Sequence, residues 1–343
     1  MTSHERLTTV LDGHTPDRTP LSIYSWMMGD WKTSDDWMRL IDSGLGICHH
    51  CWTVGRIEHD VEDSYEEKVD GDTTYGIARK KTPVGTLQKV SRNGWHHEDW
   101  IKTPADYKIR QWIVEHSELT TNYDAVAEAE ALVGDQGIAI VTGSRTPAMA
   151  INIDWAGTEQ FCMDVAMEVP ELFDLFEAEK KLFLEETRLI AAGPGRFVKW
   201  FENLTISMLG HRRYGELLVS VYDEAVPILE AAGKRTMVHY DGQLDVIADQ
   251  IASAPFHMIE SLTEPPEGDM MYDQCRAAWP DKVFWANINL ELYARPADEL
   301  RAAIISKRQR AGKRALAFEI SEDLPPNWLD VIPVVLDALE ECG

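Results

Sequence analysis

The sequence predicts an α/β protein, a (β/α)8 TIM barrel with a long insertion after the second strand. Three observations predict it: short apolar runs rich in β-branched and aromatic residues, helix-period segments between them, and one long gap in that rhythm. Taken in order, the apolar runs cover residues 21–26, 44–49, 138–142, 197–201, 236–239, 257–261, 283–288 and 315–320. Several are apolar at nearly every position, as expected of parallel strands covered on both faces. The helix-period segments are 158–192, 214–232 closed by Gly233, 244–254, 270–278, 297–309 and 328–341. Strand alternating with helix in this way closes a barrel rather than a sandwich.

The gap lies between the second and third runs, residues 50–137. Its first part reads as hairpins. A strand at 66–69 meets the turn Asp70-Gly71-Asp72, then a strand at 73–80, then the turn Pro83-Val84-Gly85 and a strand at 86–90. An insertion after a barrel strand is expected at the C-terminal face, here with residues 52–115 as part of the cleft wall. No repeat, low-complexity tract or linker divides the chain, so residues 1–343 are expected to form one domain.

Composition narrows the function. The net charge is −25, which argues against nucleic acid as a partner, since a binding face needs an excess of clustered Lys and Arg. A solvated acidic surface accounts for most of that excess. No apolar run approaches the roughly 18 residues of a membrane span. The opening Met1-Thr2-Ser3-His4-Glu5-Arg6 has no basic flank followed by an apolar stretch, so no signal peptide is expected. Five cysteines in so long a chain fit a reducing, cytoplasmic compartment. The twelve tryptophans crowd the first third, among them Trp26, Trp95 and Trp100. Core and lid packing accounts for many of them; the alternative use is a pocket for a flat apolar ligand, bordered by Trp26 and by Trp95 or Trp100.

Chemistry in such barrels sits at strand C-terminal ends. There the sequence places Glu202 and Asn203, His239 and Asp241, Glu260, Asn287 and Asn289, and Glu319 and Glu322. In His239-x-Asp241 both side chains project to one side, because strand periodicity is two. A histidine with carboxylates from neighbouring strands suits a divalent metal, although a packed histidine satisfied by hydrogen bonds is the plainer reading of His239 alone. The run Cys48-His49-His50-Cys51 is one pair without a second and reads as strand end. Residues 96–100 are expected to be exposed in the insertion. No Gly-x-Gly-x-x-Gly or Walker motif is present, and neither Ser144 nor Ser207 sits in a Gly-x-Ser-x-Gly elbow.

Ordered motifs along nearly the whole chain resemble the uroporphyrinogen decarboxylase superfamily. They are Glu5-Arg6-Leu7 with Pro16-Asp17-Arg18-Thr19-Pro20, Thr82-Pro83-Val84-Gly85-Thr86-Leu87, Lys102-Thr103-Pro104-Ala105-Asp106-Tyr107, His239-Tyr240-Asp241-Gly242, the segment 260–269, and Ser321-Glu322-Asp323-Leu324-Pro325-Pro326. The resemblance implies a barrel with its cleft at the strand C-termini. It also implies one of two chemistries, porphyrinogen decarboxylation or methyl transfer linked to a corrinoid. Decarboxylases of this group carry an arginine-rich segment after the first strand; here Ser25-Trp26-Met27-Met28-Gly29-Asp30 stands there, and acidic strand ends would repel a polycarboxylate.

The resemblance therefore implies a corrinoid-dependent methyltransferase, an O-demethylase of a methoxylated aromatic. Zinc or another divalent metal would be its cofactor, and cobalamin would sit on a partner protein. His239, Asp241 and Glu202 are the catalytic candidates. His239, Glu202, Asp241 and Glu322 are the metal-ligand candidates, with Glu319 in place of Glu322 as an option, and Trp26, Asn203, Glu260 and Asn287 the substrate contacts. Thiol-activating relatives use His-x-Cys and a late Cys, so Asp241 and Glu322 make a harder site suited to oxygen. Relatives that cleave aryl methyl ethers use Glu, Glu and His, an order that Glu202, Glu216 and His239 reproduce. The rival readings are a metal-independent decarboxylase or lyase with Asp241 or Glu202 as general acid, and a silent barrel that binds a corrinoid or tetrapyrrole. A homodimer is left open.

Overall fold

The computed structural model describes residues 1–204 and 209–343; Ser207 lies outside the described residues. The chain forms two compact units, one of Met1–Thr53, Asn122–Gly143 and Ile190–Gly343, the other of Val54–Thr121 and Ser144–Leu189.

Its strands in chain order are β1 (Leu21–Tyr24), β2 (Leu45–Cys51), β3 (Val54–Glu58), β4 (Glu62–Asp70), β5 (Thr73–Thr82), β6 (Gly85–Arg92), β7 (Trp95–Glu98), β8 (Ser117–Thr121), β9 (Gly137–Gly143), β10 (Phe197–Trp200), β11 (Arg235–His239), β12 (Met258–Leu262), β13 (Val283–Asn287) and β14 (Leu316–Glu319). In the first unit β1, β2 and β9 to β14 close a barrel in which every neighbour is parallel. Each of the eight apolar runs is one of its strands. The reason is visible in burial: β1, β10, β12, β13 and β14 are buried at every residue, so neither face needs polar side chains for water.

The helix Ser3–Leu11 closes the N-terminal end. Thr2 and Glu5 form its capping box, and Leu7, Val10 and Leu11 at helical spacing enter one apolar cluster with Ile138, Phe197, Met237, Met258 and Val283. The helical pattern over 158–192 breaks into Thr158–Ala166 and Pro170–Ala192. Pro170 starts the second helix because it can occupy a first turn but not continue one, and Glu168 before it turns the backbone through φ 56°.

In the second unit β4 to β7 form an antiparallel meander, and β3 pairs with β8. The strands β3, β7 and β8 were not marked by the sequence pattern, because their side chains alternate weakly or are exposed throughout. A buried ion network holds this unit together. Arg110 donates to Glu179 at 2.6 Å, approaches Glu58 at 3.3 Å and lies 3.7 Å above the Trp155 ring.

Candidate functional site

Polarity changes along the barrel lumen. Strand period two puts Phe197 and Lys199, Met237 and His239, Met258 and Glu260, and Ala315, Ala317 and Glu319 on common strand sides. The lower members join the apolar cluster above the N-terminal helix. The upper ones are charged or ionisable, yet Lys199, His239, Glu260 and Glu319 are each 2% exposed or less. Buried charge of this density persists only where each group has a partner.

Those partners form a chain. Nδ1 of His239 lies 2.6 Å from Oε2 of Glu260, and Lys199 donates to that oxygen at 2.8 Å. The Tyr24 hydroxyl donates to Oε1 of Glu260 and accepts from Lys199 at 3.2 Å. Burial alone would raise the Glu260 carboxyl, but Lys199 and His239 hold it well below the carboxylate range. Glu319 is compensated less. Both its oxygens are buried without a hydrogen-bond partner, and burial, then the Glu260 charge, raise it well above the carboxylate range against the weaker pull of Lys199 and His239.

The other face of His239 is the candidate metal centre. Among the described residues, His239, Asp241 and Glu322 offer ligand atoms that lie within 4.8 Å of one another. Oε1 of Glu322 is 2.8 Å and Oδ2 of Asp241 3.8 Å from Nε2, but Nε2 is buried and has no partner in hydrogen-bonding geometry. A buried ring nitrogen facing two carboxylates, with its other nitrogen fixed by a third, suits a cation. Burial opposes charge on His239, but Glu260, Asp241 and Glu322 outweigh it and raise the imidazole well above its ordinary range. A proton and a metal therefore compete for Nε2.

Glu322 is itself held. Ser261 donates to its Oε1 at 2.9 Å, and Asn287 donates to the Ser261 hydroxyl at 2.5 Å. Ser261 has φ 65° at a bulge where β12 shifts register against β13. A non-glycine residue in this left-handed region costs about 1 kcal/mol or more and recurs at functional sites. Asn287, expected to touch substrate, donates to the Ser261 hydroxyl that holds Glu322, and Glu260, expected likewise, has both oxygens engaged inside the lumen.

Glu202 is not in the ligand group. It is fully buried and accepts from Tyr222 at 2.9 Å, beside the linked hydroxyls of Tyr222, Tyr240 and Tyr214. Counted from the lumen-facing Lys199, strand alternation puts Glu202 in phase with Trp200 on the opposite side, where both meet Tyr222. Glu216 is exposed and pairs with Arg212 and Arg213. Asn203 is half-buried with φ 48°, a conformation asparagine tolerates.

An aromatic wall flanks the ligand group. Trp26, 53% exposed, stacks on Tyr24 at 4.1 Å. His50 lies 5.1 Å from both Trp26 and Phe201, and Phe201 5.6 Å from His239. Burial, then the Lys199 charge, lowers His50 well below its ordinary range. Cys48 and Cys51 are buried free thiols of β2. In the second unit His96 and His97 are exposed, Trp95 is 81% exposed, and Trp100 packs against Trp155.

Sequence reasoning missed Tyr24 and Lys199. One signal could have found the lysine: a cation inside the buried run Phe197-Val198-Lys199-Trp200 demands an internal anion.

The sequence matches no protein-family model and no curated protein. Among solved structures, it is similar to a methyltransferase from Methanosarcina mazei, at 10% identity over 99% of each chain with a TM-score of 0.58. A B12-independent methionine synthase from a Shewanella species aligns at 9% identity over 89% of this chain and 85% of that one, with a TM-score of 0.44. A D-psicose 3-epimerase from Clostridium cellulolyticum aligns at 9% identity over 94% and 98%, with a TM-score of 0.42. The first likeness shows the barrel fold, and identity this low carries nothing further. No described helix is long and apolar enough to cross a membrane.

Proposed function

We propose that the chain is a metal-assisted methyltransferase that removes the methyl group of a methoxylated aromatic and passes it to the cobalt of a separate corrinoid protein. The observation that carries the metal reading is the buried Nε2 of His239 converging with Asp241 and Glu322, their ligand atoms within 4.8 Å of one another. The oxygen-rich ligand set supports an oxygen-bearing substrate over a thiol. The wall of mutually tilted rings of Trp26, His50 and Phe201 supports an aromatic one. Methyl transfer and the corrinoid acceptor rest on the resemblance to the uroporphyrinogen decarboxylase superfamily.

A divalent cation held by His239, Asp241 and Glu322 would act as a Lewis acid on the ether oxygen, making the aryl oxide a better leaving group. The chain's own residues do the remainder. The exposed Trp26 face orients the ring by stacking. Ser261 and Asn287 keep Glu322 turned toward Nε2. Glu260 keeps His239 in place.

The test is metal content. Protein prepared without chelators is expected to hold one divalent metal per chain, and His239→Ala to lose it and all methyl transfer from a methoxybenzoate to a pre-reduced cob(I)alamin acceptor. The barrel should survive, because His239 ends its strand above the apolar cluster. A wild-type protein without metal, and active in excess chelator, would overturn the reading in favour of a metal-independent lyase.

A further inference from the structure

We propose that Glu260, charge-paired with Lys199 and hydrogen-bonded to Tyr24, is the positioning residue that reserves Nε2 of His239 for the cation and sets the affinity of the centre. This rests on the metal reading above and adds to it the residues that make the site selective for a doubly charged ion.

Histidine has two ring nitrogens, and the hydrogen bond made by one decides the role of the other. Here the 2.6 Å contact from Glu260 fixes the proton on Nδ1, so only Nε2 is left for a ligand bond. Glu260 cannot swing away. Its Oε2 also takes Lys199 at 2.8 Å, its Oε1 takes the Tyr24 hydroxyl, and all three side chains are buried. Lys199 is confined in turn, with its ammonium 4.0 Å from the Phe201 ring centroid and 3.2 Å from the Tyr24 hydroxyl.

The charge balance points the same way. Lys199 and Glu260 cancel as a buried pair, leaving Asp241 and Glu322 as the uncompensated carboxylates of the ligand group. Two negative charges match one divalent cation. Removing the Lys199 charge would leave three, and turning Glu260 neutral would leave the lysine facing the site unpaired. An anionic Glu260 on Nδ1 also makes the ring a stronger donor at Nε2.

The experiment measures Zn2+ affinity of the full chain, at one fixed pH, by competition with a chromophoric chelator. It also records the visible absorption spectrum of the Co2+-loaded protein. Glu260→Gln keeps an oxygen acceptor for Nδ1 and is expected to bind Zn2+ about tenfold more weakly; Glu260→Ala, with no acceptor, about a hundredfold more weakly. Both should show an altered Co2+ spectrum, because the ring tilts, at a melting temperature that establishes an intact fold. If Glu260→Ala does not fold, the near-isosteric Glu260→Gln decides. Wild-type affinity and an unchanged Co2+ spectrum in folded variants, even with a lower melting temperature, would make Glu260 merely structural and overturn this inference alone. A wild-type chain that binds neither Zn2+ nor Co2+ overturns the metal reading and this inference with it.

Discussion

His257 shows how a single titratable residue ties stability to pH away from the candidate site. Its Nδ1 accepts from the backbone N–H of Thr236 at 3.2 Å, which requires a lone pair and so a neutral ring. Burial, then the charges of Arg235 and Lys282, lower it to about 4. A folded-state value below the unfolded one means that the unfolded chain takes up a proton that the folded chain refuses. The contribution of His257 is therefore complete above the usual histidine range near 6.5 and is lost as pH falls from there toward 4. With solvent contact at the ring edge, the loss should be roughly 1–2 kcal/mol. His257→Asn keeps an acceptor for Thr236 but cannot titrate. Urea midpoints at pH values spanning that window should fall less steeply in the variant than in wild type; parallel slopes would show that His257 does not contribute. The same lone-pair logic, applied to His239, separates a nitrogen engaged with Glu260 from one facing ligands.

Elements fail in different ways depending on which end of the barrel they serve. The N-terminal helix Ser3–Leu11 contributes packing, with Leu7 wholly buried against the lumen cluster. Leu7→Ala should cost about 2–5 kcal/mol, the range for a core cavity, whereas Thr2→Ala removes only a cap and should cost about 1 kcal/mol. Chemical denaturation of the two variants checks the ranking, and neither should change metal content, because the polar half of the lumen lies further along the strands. At the other end β12 contributes geometry. Its bulge sets Ser261 in a left-handed conformation from which the hydroxyl reaches Glu322 while Glu260 still faces His239. A regular strand would send consecutive side chains to opposite faces. The bulge is what lets neighbouring residues serve one site.

For the whole molecule, the second unit bears on whether the chain is one domain. Its ends invite excision, since the Asn122 amide donates to the Thr53 carbonyl at 2.8 Å and the 54–121 segment departs and returns side by side. Yet the unit also needs 144–189, which follows β9, a barrel strand paired with β2 and β10. Tyr107 with Asp164 at 2.7 Å, and Arg110 with Glu179 at 2.6 Å, join the two segments. We propose a single folding domain on this ground, and expect one calorimetric transition for the full chain. Deleting 54–121 removes Arg110, Arg56 and Tyr107, the partners of Glu179 and Asp164, and leaves 144–189 without the segment it packs on, so the shortened chain should melt far lower or aggregate. Two resolved transitions in the full chain, or a shortened chain as stable as the parent, would show two independent domains.

The barrel was legible in the sequence because burial on both faces leaves parallel strands no choice but continuous apolar runs, and all eight runs became strands. His239, Asp241 and Glu322 were legible for a related reason. Strand-end position is a local property, and period two carries a side chain's direction along a strand. The same rule, once the structure shows Lys199 facing the lumen, puts Glu202, read as a ligand, in phase with Trp200 on the other side, where it packs among Tyr222, Tyr240 and Tyr214. The roles of Tyr24, Lys199 and Glu260 were decided only by the tertiary structure. A strand's sequence does not say which face meets the lumen when both are buried. Nor does it say which distant charge will stand 2.8 Å away, and the energy of a buried ion depends almost wholly on that partner.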